Sequence, residues 1–414
     1  MEQKERVLIA ACEIKGENEE RFYMSLEELK QLTETAQGQV LQVMTQKRTR
    51  KHPALYLGEG KLEEIKLEIE KLDIDVVVLN DEVSPGQLRN LSDRLEARVI
   101  DRTQLILDIF AQRAKTREGK LQVELAQMQY MLPRLHGKGI ELSRLGGGIG
   151  TRGPGETKLE TDRRHIQRRI TEIKHRLQTV VNQRNQYRKR RKENKAFQIA
   201  IVGYTNAGKS TLFNRLTNSK SLEENQLFAT LDPLTRQIQL KNGFKAIISD
   251  TVGFIQDLPT TLVAAFRSTL EEVTEADFIL HVVDGSNEDY PQHEKTVYQL
   301  LEELGADHLP TLTVYNKQDK FPNDFIPNSH PFISVSALKQ EDMVRLLAKM
   351  EAVLKEEWES FSLRLSSDEG KKLHEIKNHT LIDTEKFDSD LEEYIIKGYA
   401  NPEHPVYQKY IVKE

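Results

Sequence analysis

Two different periods of apolar residues run along this chain, and the point where one gives way to the other divides it. Over residues 1–115, short apolar runs alternate with stretches whose apolar positions recur every three or four residues. Arg6-Val-Leu-Ile-Ala-Ala11, Val40–Met44, Val76-Val-Val-Leu79 and Arg98-Val-Ile-Asp101 have strand length and predict four strands. Ser25-Leu-Glu-Glu28 has the form of a capping box opening a helix that Gly38 closes. Lys61–Leu72 predicts a second helix, and Ser84-Pro85 starts a third, with serine as N-cap and proline in the first turn. A βαβαβαβ order predicts a small parallel sheet with helices on its faces. No phosphate loop or catalytic signature accompanies it, and Gly58-Glu-Gly60 is too short for a dinucleotide fingerprint and reads as a turn. The stretch reads as a binding surface, not a second enzyme.

Beyond residue 115 the apolar positions fall on a heptad. Leu121, Leu125, Met128, Leu132 and Leu135 step by 4, 3, 4 and 3, and Ile166, Ile170, Ile173, Leu177 and Val180 repeat those steps, with Tyr187 continuing the seam. Two such stripes on either side of one loop predict a projecting antiparallel helical hairpin over residues 116–195. Its second helix, Thr157 to Lys192, would run roughly 50 Å at 1.5 Å per residue. The loop between, Gly137 to Gly155, is so rich in glycine that composition alone favours a floppy connector. Charge favours another reading. The loop holds Lys138, Arg144 and Arg152 and leads into Arg163-Arg164, Arg168-Arg169, Lys174, Arg176 and Arg188 to Lys192, with few acidic residues among them. A rod of one sign with a basic, glycine-rich tip suits a phosphate backbone, and the near absence of aromatics argues against base stacking. Structured RNA is the expected partner.

Residues 196–357 carry the chemistry. The apolar run Phe197-Gln-Ile-Ala-Ile-Val202 predicts a strand, Gly203-Tyr-Thr-Asn-Ala-Gly-Lys-Ser210 follows it, and Thr211-Leu-Phe-Asn-Arg-Leu216 has helical spacing. Strand, glycine-bounded loop and helix are the context that gives a G-x-x-x-x-G-K-[ST] match its meaning as a phosphate loop. Gly203 and Gly208 permit the curl, and backbone N–H groups of the loop and of the helix start (Tyr204, Thr205, Asn206, Ala207 and Thr211 included) line one hollow. Lys209 would neutralise the β- and γ-phosphates and Ser210 would bind Mg²⁺. Downstream, Phe228-Ala-Thr-Leu-Asp-Pro233 places Thr230 to close on Mg²⁺ as a switch residue. A strand over Phe244–Ser249 ends in Asp250-Thr-Val-Gly253, where Asp250 would hold Mg²⁺ through its water and the Gly253 N–H would sense the γ-phosphate. Lys209, Thr230 and Gly253 are the candidate catalytic residues, and Ser210, Thr230 and Asp250 the candidate metal residues. Strands over Asp277–Val283, Leu312–Tyr315 and Phe332–Val335 follow, the last two ending in Asn316-Lys-Gln-Asp319 and Ser336-Ala-Leu338. Asp319 can accept from guanine N1–H and its 2-amino group, the Lys317 stem can cover the base, and the Ala337 N–H can meet O6. Adenine would leave those groups unpaired. Singly, each motif has a bland reading as a turn or a cap. In this order and spacing they predict a guanine-nucleotide-binding domain.

Phe254 departs from the Ras-like scheme, in which a glutamine after the glycine orients the attacking water. Intrinsic hydrolysis is therefore expected to be slow or to use another group. Asn206 is similar to an asparagine that helps bind a catalytic K⁺ in some GTPases, and a role bracing switch I stands equally beside that one.

Residues 358–414 form a short mixed α+β tail. Leu363-Arg-Leu365 and Thr380-Leu-Ile-Asp383 predict strands, and Asp368–Lys377 a helix capped by Ser366-Ser367-Asp368, with no chemistry attached. Trp358 reads as packing. The 414 residues suffice for two to four domains, and a net charge of −5 masks the basic middle. The single cysteine, Cys12, excludes a disulfide framework, fits a reducing compartment and reads as core. No secretory signal or membrane-length apolar run is present, so a cytoplasmic protein without membrane attachment is expected.

With these motifs placed, the chain resembles the HflX family of ribosome-associated GTPases over nearly its whole length. The resemblance rests on the run from Arg144 to Arg164, on Gly203–Ser210, on Phe228–Pro233 and on Asp250–Phe254, and none of these departs from the family pattern. It implies a monomer that binds the large (50S) ribosomal subunit, with rRNA contacts through the hairpin and its loop near the peptidyl-transferase centre. With GTP and Mg²⁺, it would separate stalled or idle 70S ribosomes into subunits, hydrolysing GTP to GDP under ribosomal stimulation and as part of a stress response. A GTPase of large-subunit assembly is the alternative.

Overall fold

The computed structural model describes residues 4–135, 154–193, 196–217, 227–228, 230–231, 233–240, 242–255 and 267–411. Proximity of Cα atoms divides the chain into two compact units. The first comprises residues 1–182, 226–231 and 256–267, and the second residues 183–225, 232–255 and 268–414.

In the first unit, strands β1 (Arg6–Ile14), β2 (Gln39–Arg48), β3 (Val76–Leu79) and β4 (Arg98–Asp101) form a wholly parallel sheet of order β2-β1-β3-β4. Helices α1 (Glu19–Thr35), α2 (Glu59–Leu72), α3 (Pro85–Leu95) and α4 (Arg102–Arg113) follow the four strands in turn. Side chains alternate across the sheet. Leu8, Ala10, Cys12, Val77 and Leu79 share one core with Leu62 and Ile65 of α2 and Leu91 and Leu95 of α3. Cys12 is buried there, and its N–H donates to the Tyr56 hydroxyl. Ser84 is the N-cap of α3 and Pro85 lies in its first turn, as the sequence predicts, and Ser84 also closes a capping box with Gln87.

Two sequence expectations fail in α1. The helix begins six residues before Ser25, capped by the Asn18 side chain, because Glu19–Met24 continue the helical pattern and Asn18 accepts from the N–H groups of Glu20 and Arg21. Ser25 lies inside the helix and its hydroxyl bonds Asn80. The helix ends at Thr35, and Gln37, not Gly38, takes the left-handed conformation at φ 67°.

Helix α5 (Arg117–Met131) continues as a short 3-10 turn over Leu132–Leu135, and α6 runs forty residues over Pro154–Glu193. On α6, Ile170 and Ile173 are buried and Ile166, Leu177 and Val180 half-buried, so the heptad stripe is its inner face. On α5 and the turn after it, Leu121 is buried and Leu125, Met128, Leu132 and Leu135 are half-buried, and Val123, Ala126 and Tyr130 are buried as well. Tyr130 reaches inward, its hydroxyl donating to buried Asp101 at 2.7 Å. Arg169 of α6 donates to Glu124 of α5 at 2.7 Å. The tip, with Lys138, Arg144 and Arg152, lies outside the described residues, and so do the side chains of Tyr187 and Arg188 to Lys192.

The second unit contains a six-stranded sheet of order β10-β9-β8-β5-β7-β6. Its strands are β5 (Phe197–Val202), β6 (Leu234–Gln239), β7 (Lys245–Asp250), β8 (Phe278–Asp284), β9 (Thr311–Asn316) and β10 (Phe332–Ser334). Only β6, an edge strand the apolar pattern does not reveal, is antiparallel to its neighbour. Helices α7 (Lys209–Thr217), α8 (Arg267–Thr274), α9 (Tyr290–Glu303) and α10 (Gln340–Glu357) accompany it. Trp358 packs edge-on against Phe197 and Phe244, each at 5.5 Å.

After α10 come β11 (Glu359–Ser366), α11 (Gly370–His379), β12 (Leu381–Asp388) and β13 (Glu393–Ala400), an antiparallel sheet of order β11-β13-β12. Its central strand, β13, is absent from the sequence expectation. So is the true start of α11, which has Glu369 as N-cap and no side-chain cap bond where Ser366-Ser367-Asp368 is expected to cap.

Candidate nucleotide-binding site

The loop after β5 is shaped by its two glycines. Gly203 has φ 151°, and a Cβ there would lie 2.1 Å from the Val282 carbonyl oxygen of β8. Gly208 has φ 91°, and a Cβ would lie 2.2 Å from Asn316 Nδ2. Neither position admits a side chain. Inside the curl, Lys209 is buried and its Nζ donates to the Tyr204 carbonyl at 2.8 Å. Burial lowers its pKa to about 8 against the opposing pull of Asp250. Phosphate oxygens are the natural counter-charge for such an ammonium.

Ser210 Oγ, in the first turn of α7, donates to Asp250 Oδ2 at 2.8 Å, and Asp250 at the end of β7 is wholly buried. A hydroxyl and a carboxylate so placed are hard oxygen donors of the kind Mg²⁺ takes. Among the described residues no three His, Cys, Asp or Glu groups come together to hold a metal.

The base-side motifs are joined to the loop by one amide. Asn316 Nδ2 donates to the Ala207 carbonyl at 2.9 Å, and Asn316 Oδ1 accepts from the Ala337 N–H at 3.0 Å. A single buried side chain thus ties the ends of β5, β9 and β10, the carboxyl ends at which open α/β sheets bind ligands. Lys317 sits at φ 65° and its Nζ meets Asp284 Oδ2 at 2.6 Å. Asp319 is exposed, and a hydrogen bond from buried Ser336 holds its carboxyl below the usual range, ready to accept as an anion. Leu338 is exposed.

Asp250-Thr-Val-Gly-Phe254 runs against the phosphate loop as a short pair. The Thr205 N–H donates to the Phe254 carbonyl at 2.8 Å, and the Phe254 N–H donates to the Gly203 carbonyl at 3.1 Å. A Cβ on Gly253 would lie 2.8 Å from Thr205 Cγ2 and 3.0 Å from Lys209 Nζ. The Phe254 ring is buried with Val202, Val273, Ile279 and Val297. Asn206 takes the left-handed conformation, φ 60°, and Thr211 is half-buried in α7.

A family described as "50S ribosome-binding GTPase" matches residues 198–317, "GTP-binding GTPase Middle Region" matches 113–191, and "GTP-binding GTPase N-terminal" matches 23–111. The GTPase HflX of Alkalihalophilus pseudofirmus is 54% identical over 98% of this chain and 96% of its own. The chain belongs to the HflX family of GTPases. The Caldanaerobacter subterraneus relative is 47% identical over 93% of this chain and 89% of its own, and the Escherichia coli relative 44% over 86% and 81%. A GTP-binding protein from Sulfolobus solfataricus in complex with GDP is similar at 24% identity, with a TM-score of 0.44 over 84% of this chain and all of that one.

As an HflX-family GTPase the protein binds GTP and hydrolyses it to GDP. The structure gathers Gly203 to Thr211, Asp250, Gly253, Asn316, Lys317 and Ser336 to Leu338 in the second unit. Phe228 and Thr230 belong to the first, where Phe228, at φ 55° and buried, meets Phe110 edge-on at 4.7 Å. Two residues escape the sequence reading. Asp284 ends β8 and holds Lys317; its position at a strand end followed by Gly285 is the available signal. His293 of α9 stacks on Tyr204 at 3.8 Å, and no motif announces it.

Proposed function

We propose that this HflX-family GTPase acts on the ribosome: it binds the large (50S) subunit and, with GTP, separates stalled or idle 70S ribosomes into subunits. The observation that carries the reading is α6, forty residues on which Lys and Arg outnumber Asp and Glu, in a chain whose nucleotide domain matches a 50S ribosome-binding family. Within 116–195, as the domain is bounded by its sequence, exposed cations would meet rRNA phosphates. In 196–357, Lys209 would face the β- and γ-phosphates, Ser210, Asp250 and Thr230 would hold Mg²⁺, and the Gly253 N–H would meet the γ-phosphate. Bound Mg²⁺ would neutralise charge developing on the phosphates. Lys317 would cover guanine, and Asp319 would accept from its N1–H and 2-amino group. Residues 1–115 would serve as a binding domain without chemistry of its own, and 358–414 would form a small C-terminal domain. Asn206, already in the left-handed turn, would offer its amide oxygen to K⁺.

GTP turnover measured with and without purified 50S subunits, in K⁺ and in Na⁺ at equal ionic strength, tests both parts. Turnover is expected to rise on adding 50S, and to be higher in K⁺ unless Asn206 is replaced by alanine. Turnover indifferent to 50S removes the ribosomal reading, and equal rates in the two salts leave Asn206 as a bracing residue.

A further inference from the structure

Phe254 stands where Ras-like enzymes hold their water-orienting glutamine, and its ring is locked into the core beside Val273 and Val297. It cannot turn toward the phosphates without emptying that packing. Several other polar groups around the loop are engaged. Thr251 Oγ1 donates to the Ile201 carbonyl at 2.6 Å, Ser210 Oγ to Asp250, and both ends of the Asn316 amide are bonded. Thr205 differs. Its side chain is nine-tenths buried, and its Oγ1 has no hydrogen-bond partner among the described residues. A buried hydroxyl left unpaired destabilises the fold, so this one calls for a partner that arrives with the ligand.

The backbone pins Thr205 in place. Its N–H donates to the Phe254 carbonyl, and its Cα and Cγ2 would lie 2.9 and 2.8 Å from a Cβ on Gly253. Lys209 Nζ would lie 3.0 Å from that same Cβ. Thr205, Gly253 and Lys209 therefore meet at one corner of the loop. We propose that Thr205 Oγ1 is the catalytic group that takes the place of the missing glutamine. It would donate a hydrogen bond to a γ-phosphoryl oxygen and accept one from the attacking water. The water oxygen forms the new bond to the γ-phosphorus as the bond from that phosphorus to the β,γ-bridging oxygen breaks. GDP leaves with that electron pair, and the water proton ends on the released phosphate. The assignment rests on the γ-phosphate roles proposed above for Lys209 and Gly253.

The test compares Thr205→Val, which keeps the shape and deletes the hydroxyl, with Thr205→Ser, which keeps the hydroxyl. Single-turnover hydrolysis at saturating GTP is read beside GTP affinity and the affinity of GDP with aluminium fluoride, a mimic of the transferring phosphoryl group. Loss of one preorganised transition-state hydrogen bond predicts a fall of about 100- to 1,000-fold in rate for valine. The aluminium fluoride complex should weaken by the same factor, with GTP affinity within about threefold of wild type and serine close to wild type. Valine hydrolysing at the wild-type rate, or losing GTP affinity and rate together, overturns the assignment. If valine fails to fold, serine and alanine decide: alanine slow and serine fast supports it, and equal rates overturn it. Lys209→Ala separates the two readings, since normal GTP binding and hydrolysis in that variant would refute the γ-phosphate site itself.

Discussion

At the scale of single residues, the nucleotide site is held by a few buried polar side chains, each doing more than one job. Asn316 pairs a carbonyl of the phosphate loop and an N–H of the Ser336-Ala337 turn, and either group buried alone would cost about 1–3 kcal/mol. His293 and His281 lie on the same domain in neutral form. Burial pushes His293 down to about 4, partly offset by Asp284, and pushes His281 down to about 3, with the Lys209 charge adding to the effect. Both folded values lie below the unfolded value of about 6.5. As pH falls, the unfolded chain takes up protons first, so this contribution to stability is complete above about pH 6.5 and is lost toward pH 4 and 3. Each histidine would then account for up to about 1.4 kcal/mol per pH unit. His293→Phe keeps a ring against Tyr204 but does not titrate. Its Tm should fall less than that of wild type between pH 6.5 and 4.5, and equal falls would show that His293 protonates freely in the fold. The motif residues at this scale were legible because nucleotide chemistry fixes their order and spacing. The Tyr204–His293 stack and the Asp284–Lys317 pair were not, since each joins elements distant in sequence and uses residue types found anywhere.

Among elements, legibility follows how strongly a segment advertises its own period. The buried parallel strands β3 and β4 are short apolar runs and begin and end where the sequence puts them. The edge strand β6, Leu-Thr-Arg-Gln-Ile-Gln, is mostly polar because only one side of it is covered. Ser25-Leu-Glu-Glu28 satisfies a capping pattern, yet helix propensity extends upstream to Asn18, and the serine turns its hydroxyl to Asn80 instead. On α6 the apolar stripe was readable, while the state of each cation was not. Arg169 is engaged by Glu124 and Glu172, Arg176 by Glu172 and Arg164 by Glu160. Arg168 and Lys174 are exposed and enter no ion pair among the described residues. These two are the better donors to a phosphate backbone, since they release no internal partner. Arg168→Glu combined with Lys174→Glu should therefore weaken 50S binding by roughly tenfold or more and flatten its dependence on salt. Tm should hardly change, because exposed charges contribute about 0–1 kcal/mol. Binding with unaltered affinity and salt slope would remove this face of α6 from the RNA contact.

For the molecule as a whole, a net charge of −5 conceals a cationic helix in a chain that also carries a guanine-nucleotide domain. We propose that the two work together: nucleotide chemistry in one, RNA contact in the other, and work on the ribosome as the outcome. Sedimentation of 70S ribosomes through a density gradient, after incubation with the protein and GTP, tests that union most directly. The wild-type chain should convert the 70S peak into separate subunits. A variant lacking residues 141–155, bridged by a short glycine linker, should still bind GTP and leave the peak intact. A 70S peak that persists while the wild-type protein binds and hydrolyses GTP would contradict the account.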